Sequence, residues 1–150
     1  MSQAGFGSNV ICQVALVVRD IQKTAGAWAD ALGVPTPNIV VTDVQDKTHA
    51  NYRGSPTQAR AKLAFFNVGP QLSLEIIEPV GAPSVWRDFL DAKGDGVHHV
   101  AFHVEGMAQA VAYLDGKGMG LVQRGDFVGG QYAYMDSAGK LGVMLELLAK

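Results

Sequence analysis

The chain has 150 residues, 48% of them apolar and 17% charged, with a net charge of −2 and a single cysteine, Cys12. That is the length of one domain, able to bury about 70% of its unfolded surface without staples, and the composition excludes an intrachain disulfide and argues against nucleic acid or an anionic membrane surface as the main partner. No stretch is long enough to span a membrane, and Met1 to Asn9 has neither the basic residues nor the apolar run of a signal peptide, so the expected compartment is the cytoplasm.

Met1 to Ser8 is rich in small and polar residues and is expected to be frayed or draped. Val10 to Val18 reads as a β-strand, with Cys12 as a small buried hydrophobe within it. Ile21 to Leu32 follows as a helix with Ile21, Thr24, Ala25, Trp28 and Leu32 on one stripe, stopped at Gly33. Pro35 and Pro37 break the chain before a strand at Ile39 to Val44. Gln45 to Ala61 is polar and turn-rich, a candidate loop over a site. Lys62 to Val68 and Gln71 to Glu78 read as a hairpin joined at Gly69-Pro70. Pro79 to Pro83 is a link, and Ser84 caps a short helix running to Asp91. Gly96 to Val104 is a strand after a Gly94-Asp95-Gly96 turn. A helix at Met107 to Leu114 and strands at Gly120 to Gln123, Gln131 to Asp136 and Gly142 to Leu148 complete the chain.

The chain repeats itself. Gln13-Val14-Ala15-Leu16 lies 86 positions before His99-Val100-Ala101-Phe102, and Leu74-Glu75-Ile76-Ile77 lies 71 positions before Leu145-Glu146-Leu147-Leu148. Each copy reads as βαβββ, which makes the fold α+β, with module one at about 10–80 and module two at about 96–149 of a single domain covering 1–150. Alternation along the His99 strand puts Val100, Phe102, Val104 and His98 on one face and His99, Ala101 and His103 on the other. His99 is thus expected on the less apolar side with space beside it. His98 is expected with the core, and its replacement is expected to cost stability while sparing the site.

Four polar residues fall at the two matched pairs of strand positions: Gln13, Glu75, His99 and Glu146. Buried carboxylates without partners are costly, so two of them call for a cation or strong donors. One imidazole, two carboxylates and an amide form an N/O donor set suited to one divalent metal ion, Zn, Ni, Co, Mn or Fe. Taken singly, a strand Glu is also what a solvent-facing edge residue looks like, and a strand His is often structural; the duplication is what favours a shared site. Tyr132 and Tyr134 share a strand face and either line a cavity or pack the core. Tyr52 and Arg53, in the turn-rich segment, are candidates to bind substrate, alongside Trp86 and Arg124.

The segments Cys12 to Gly33, Leu74 to Val80 and Gly94 to Val104 resemble the vicinal oxygen chelate superfamily, which includes glyoxalase I, methylmalonyl-CoA epimerase, extradiol dioxygenases and bleomycin resistance proteins. The resemblance covers nearly the whole chain. It implies paired βαβββ modules forming an incomplete barrel around a metal held by Gln13, Glu75, His99 and Glu146. That ligand set is similar to the set of animal glyoxalase I, where the residue at the position of Glu146 also serves as base. Epimerases usually carry His at the position of Gln13, and the chain departs from them again over Phe127 to Gly142. The implied activity is that of a metal-dependent lyase or isomerase, acting on a carbonyl-containing small molecule through an enolate or enediolate, with Glu146 and Glu75 catalytic and a homodimer as the assembly. The alternatives are a metal-free drug-binding protein, which usually lacks these ligands, and an extradiol-type dioxygenase, which would use two His and one carboxylate.

Overall fold

The computed structural model describes residues 5–150. Strand β1 (Ile11–Val17) leads into helix α1 (Ile21–Leu32). Asp20 caps that helix by accepting a hydrogen bond from the Lys23 amide, and Gly33 ends it in the left-handed conformation that favours glycine. The buried stripe runs through Ile21, Ala25 and Ala29. Leu32, expected on that stripe, is 42% exposed. Two alanines one turn apart let the helix lie close to the sheet, and its last turn stays outside.

Strand β2 shrinks to Val40–Val41, shorter than the expected Ile39 to Val44. The turn-rich segment is built into the sheet: a turn of helix α2 (Gln45–Thr48) precedes a hairpin of β3 (Asn51–Tyr52) and β4 (Ser55–Pro56). Arg53 and Gly54 both have positive φ, 49° and 87°, as a two-residue hairpin turn requires. Strands β5 (Arg60–Gly69) and β6 (Leu72–Val80) form the expected hairpin. Helix α3 (Val85–Lys93) is capped by Ser84, whose hydroxyl accepts from the Arg87 amide. The second half runs β7 (Gly96–His103), α4 (Met107–Gly116), β8 (Leu121–Phe127), β9 (Gly130–Met135), a short α5 (Ala138–Leu141) and β10 (Met144–Ala149). Met1 to Ala4 lie outside the described residues. Phe6, in the segment expected to be frayed or draped, packs edge-on against Phe102 at 5.2 Å between ring centroids.

All ten strands join one curled mixed sheet in the order β2-β5-β6-β1-β7-β10-β9-β8-β3-β4. The two quartets, β2-β5-β6-β1 and β7-β10-β9-β8, meet at an antiparallel β1–β7 pairing within the chain. The β3–β4 hairpin crosses over from the first half to add to β8. Period-two alternation then sorts the side chains. Leu74 and Ile76 pack outward under α1 with Ala25 and Ala29, and Leu145 and Leu147 pack outward with Ala110 and Leu114 of α4. The residues between them, Glu75 and Glu146, therefore point to the concave inner side. A third cluster there, including Ala15, Ile77, Trp86 and Tyr134, joins the two quartets through α3. Among the described residues, no helix is long and apolar enough to cross a membrane.

Candidate active site

The β1–β7 register carries two irregularities that the alternation rule does not foresee. Ala15 pairs with His99 and Leu16 with Val97, so His98 is an extra residue. Ile11 pairs with Phe102 and Gln13 with Ala101, so Cys12 is an extra residue. Each bulge sits one position before a polar repeat residue, and the two are related by the same 86-residue offset. A bulge turns two neighbours toward one side of the strand. His98 is therefore brought beside His99: their Nδ1 atoms are 2.8 Å apart. His98 is buried as expected, and its contact with His99 corrects the expectation that it lies away from the site. Cys12 is corrected as well, since it is half-buried and lines the inner cavity, its thiol donating to the Ala101 carbonyl at 3.3 Å.

Parallel pairing puts Glu75 beside Ala15 and Glu146 beside Ala101. Two rows result across the centre of the sheet, Glu75–Ala15–His99 and Gln13–Ala101–Glu146. Ala15 and Ala101 are fully buried. Having no atoms beyond Cβ, they leave the four longer polar side chains room to converge. His99 Nε2 lies 3.2 Å from Glu146 Oε1, 3.5 Å from Glu75 Oε1 and 3.4 Å from Gln13 Oε1. With its amide turned over, Gln13 donates to Glu146 Oε1 at 3.1 Å and Glu75 Oε1 at 3.3 Å.

Burial pulls the His99 pKa down, but the carboxylates of Glu146 and Glu75 overcome it and raise it to about 9. Burial also raises the Glu75 carboxyl above its ordinary value, against the opposing His99 hydrogen bond. His98 is held neutral by burial and then by the charge of His99. A neutral His98 accepts the His99 Nδ1–H, and this leaves His99 Nε2 aimed at the carboxylates.

Among the described residues, no group of three or more His, Cys, Asp or Glu side chains is disposed to hold a metal ion as it stands. The four groups make hydrogen bonds to one another instead. Their chemistry and spacing nonetheless suit a cation. Donors bonded at about 2.1 Å sit about 3.0 Å apart around an octahedron and about 3.4 Å apart around a tetrahedron, close to the 3.2, 3.4 and 3.5 Å that separate His99 Nε2 from Glu146, Gln13 and Glu75.

Gln13, Glu75 and Glu146 open into a cavity of about 570 Å³ on the concave side, whose lining also includes Trp86, Tyr132 and Tyr134; His99, expected to have space beside it, is fully buried and does not line it. The Tyr134 hydroxyl accepts from Trp86 Nε1 at 3.0 Å, and burial and then Glu146 push its pKa well up. Tyr132 accepts from Gln123 Nε2 at 3.2 Å, and burial lifts its pKa to about 12. Both phenols are therefore neutral donors at the cavity wall. The structure does not bring Tyr52 and Arg53 there. Tyr52 hydrogen-bonds to Asp88 and Arg53 to the Tyr52 hydroxyl, because the β3–β4 hairpin adds to β8 and carries the turn to the α3 side, where Arg53 lines a separate shallow pocket. Arg124 lies by Asp126 at 3.8 Å and does not line the cavity.

Two contributors escaped the sequence reading. Gln123, 1% exposed, bridges the Val85 amide and Tyr132 and so ties α3 to the cavity wall. It stands inside an expected strand without a repeat partner, so no signal singled it out. His103, placed by alternation on the His99 face but not singled out as a site residue, lines the cavity; its shared parity with His99 was the available signal.

The sequence pattern described as the Glyoxalase/Bleomycin resistance protein/Dioxygenase superfamily matches residues 12–134. The uncharacterized protein YqjC of Bacillus subtilis (strain 168) is 31% identical over 93 residues, which are 60% of this chain and 66% of that protein. A 2-epi-5-epi-valiolone epimerase of Actinomyces sp is 26% identical over 108 residues, 72% of this chain and 58% of that protein. The chain thus spans less than two thirds of the length of either relative. The crystal structure of methylmalonyl-CoA epimerase from Mycobacterium tuberculosis shares the fold with a TM-score of 0.67 at 20% identity, over 99% of this chain and 92% of that one.

Proposed function

The chain belongs to the Glyoxalase/Bleomycin resistance protein/Dioxygenase superfamily, and we propose that it is an enzyme of the lyase or isomerase kind that moves a proton on the carbon next to a carbonyl in a small molecule. The observation that carries this reading is the pair of buried carboxylates, Glu75 and Glu146, on two sides of His99 Nε2 and open to one cavity. An epimerase among the sequence relatives supports it. The reading treats residues 10–80 and 96–149 as two modules of one domain and includes a homodimeric assembly.

Gln13, Glu75, His99 and Glu146 would hold one divalent cation (Zn, Ni, Co, Mn or Fe), which supplies Lewis acidity toward a carbonyl oxygen. Glu146 takes the proton from the neighbouring carbon, since a base must be within hydrogen-bond reach of it. Glu75, which reaches the same His99 nitrogen from strand β6, returns a proton from the other side. Removal on one face and return on the other inverts a stereocentre; return to an adjacent atom isomerises the substrate. Trp86, Tyr132 and Tyr134 line the wall against which the substrate is oriented.

Glu146→Gln keeps the size and one oxygen while removing basicity. It should retain most of the bound cation and lose roughly 10²-fold or more in rate, the usual worth of a general base. The measurement is α-deuterium uptake into hydroxyacetone in D2O, followed by NMR alongside metal content. Wild-type exchange with the cation retained would leave Glu146 as a ligand and move the base elsewhere, with Glu75 next.

A further inference from the structure

The charges and the apolar surface of the cavity are distributed unevenly. Val40, Val41, Phe65, Phe127 and Val128 line it while being at least 43% exposed, so they form an apolar mouth. Leu63, Ile77, Trp86 and Leu148 continue that surface inward. The carboxylates that line the cavity are Asp43, Glu75, Asp126 and Glu146, and no Lys or Arg among the described residues does so. Asp126 already has partners, His49 at 2.9 Å and Arg124 at 3.8 Å. An anionic group on the distal part of a ligand would therefore meet Asp43 and Asp126 and find no Lys or Arg side chain along the wall to pair with, while the charges of Glu75 and Glu146 at the base are taken up by His99 and by the cation proposed above.

Resting on the proton-transfer reading above, we propose that the substrate is an uncharged, largely apolar carbonyl compound, an aryl or alicyclic hydroxyketone that lays its ring against the aromatic wall. The site rejects carbonyl compounds carried on phosphate- or carboxylate-bearing groups. The cavity is of ordinary size for a small-molecule site. Most of its contact surface is aliphatic or aromatic, and its neutral polar groups include Gln13, Thr42, Thr48, Ser73, Tyr132 and Tyr134, so desolvation of an apolar ring drives entry.

The test is titration calorimetry of the full chain with 2-hydroxyacetophenone, its 4-carboxylate analogue and propionyl-CoA. It is run with Co²⁺ present and again after chelation. The neutral ketone is expected to bind at least about tenfold more tightly than either anion in both conditions. Phe65→Arg, at the exposed mouth where the fold tolerates a long side chain, is expected to narrow or reverse that preference for the carboxylate analogue. Equal or tighter binding of either anion to the wild-type chain would overturn the proposal, and so would no saturable binding of the ketone. The two readings fail separately. Ketone binding without α-deuterium exchange would sink proton transfer and leave the substrate class standing. Exchange on propionyl-CoA with tight binding would do the reverse.

Discussion

His98 and His99 are adjacent in sequence and touch through Nδ1, 2.8 Å apart. Because His98 fixes which nitrogen of His99 faces the carboxylates, His98→Ala should weaken Co²⁺ binding by about 10–100-fold, the usual range for a group that orients a metal-ligating histidine. Titration calorimetry checks this, and unchanged affinity would leave His98 a packing residue. The pH dependence follows from the same imidazole. A folded-state pKa raised from 6.5 to about 9 means that the His99 contribution to stability is fully present below 6.5 and is lost as pH rises through 9. The chelated protein should accordingly lose unfolding free energy over that window, by at most about 3 kcal/mol from this group, with a falling Tm as the readout, and His99→Gln should flatten the slope. Over the same window, Co²⁺ affinity should climb as the proton competing for Nε2 leaves.

Strands β1 and β7 position the site through two bulges and two alanines. Without the bulges, alternation would place His98 and His99 on opposite faces. Without Ala15 and Ala101, the converging side chains would have no room. Ala101→Leu should therefore cost about 1–3 kcal/mol by overpacking and reduce the cation bound. Denaturant unfolding and metal analysis check the two effects, and a stable variant with full cation content would show that the space is not needed. Helix α3 acts at the same scale: Ser84 caps it, Gln123 accepts from its first amide, and it delivers Trp86 to Tyr134.

The antiparallel β1–β7 pairing gives one chain all four donors. Cation content is consequently expected to stay at one per chain on dilution, whatever the assembly. Native mass spectrometry across concentrations checks this, and cation lost in step with dissociation would mean that a partner chain completes the site. Mass action alone links stability to dilution only where the partner contributes to the folded state.

Gln13, Glu75, His99 and Glu146 were legible because a duplicated sequence folds into a duplicated structure, and polar residues at matched strand positions must share an environment. Helix α1 and its cap, the β5–β6 hairpin and the Ser84 cap were equally legible, being set by local periodicity and backbone chemistry over a few residues. The tertiary structure alone decided the rest. The bulges at Cys12 and His98 exist only when β1 meets β7, so parity on a single strand could not place His98. The crossing of the β3–β4 hairpin to β8, which takes Tyr52 and Arg53 away from the cavity, depends on a pairing about 70 residues distant in sequence. The apolar mouth is assembled from segments of both halves. Local propensity acts over a few neighbours, whereas a register shift, a crossover and a cavity wall are properties of strands brought together by the chain as a whole.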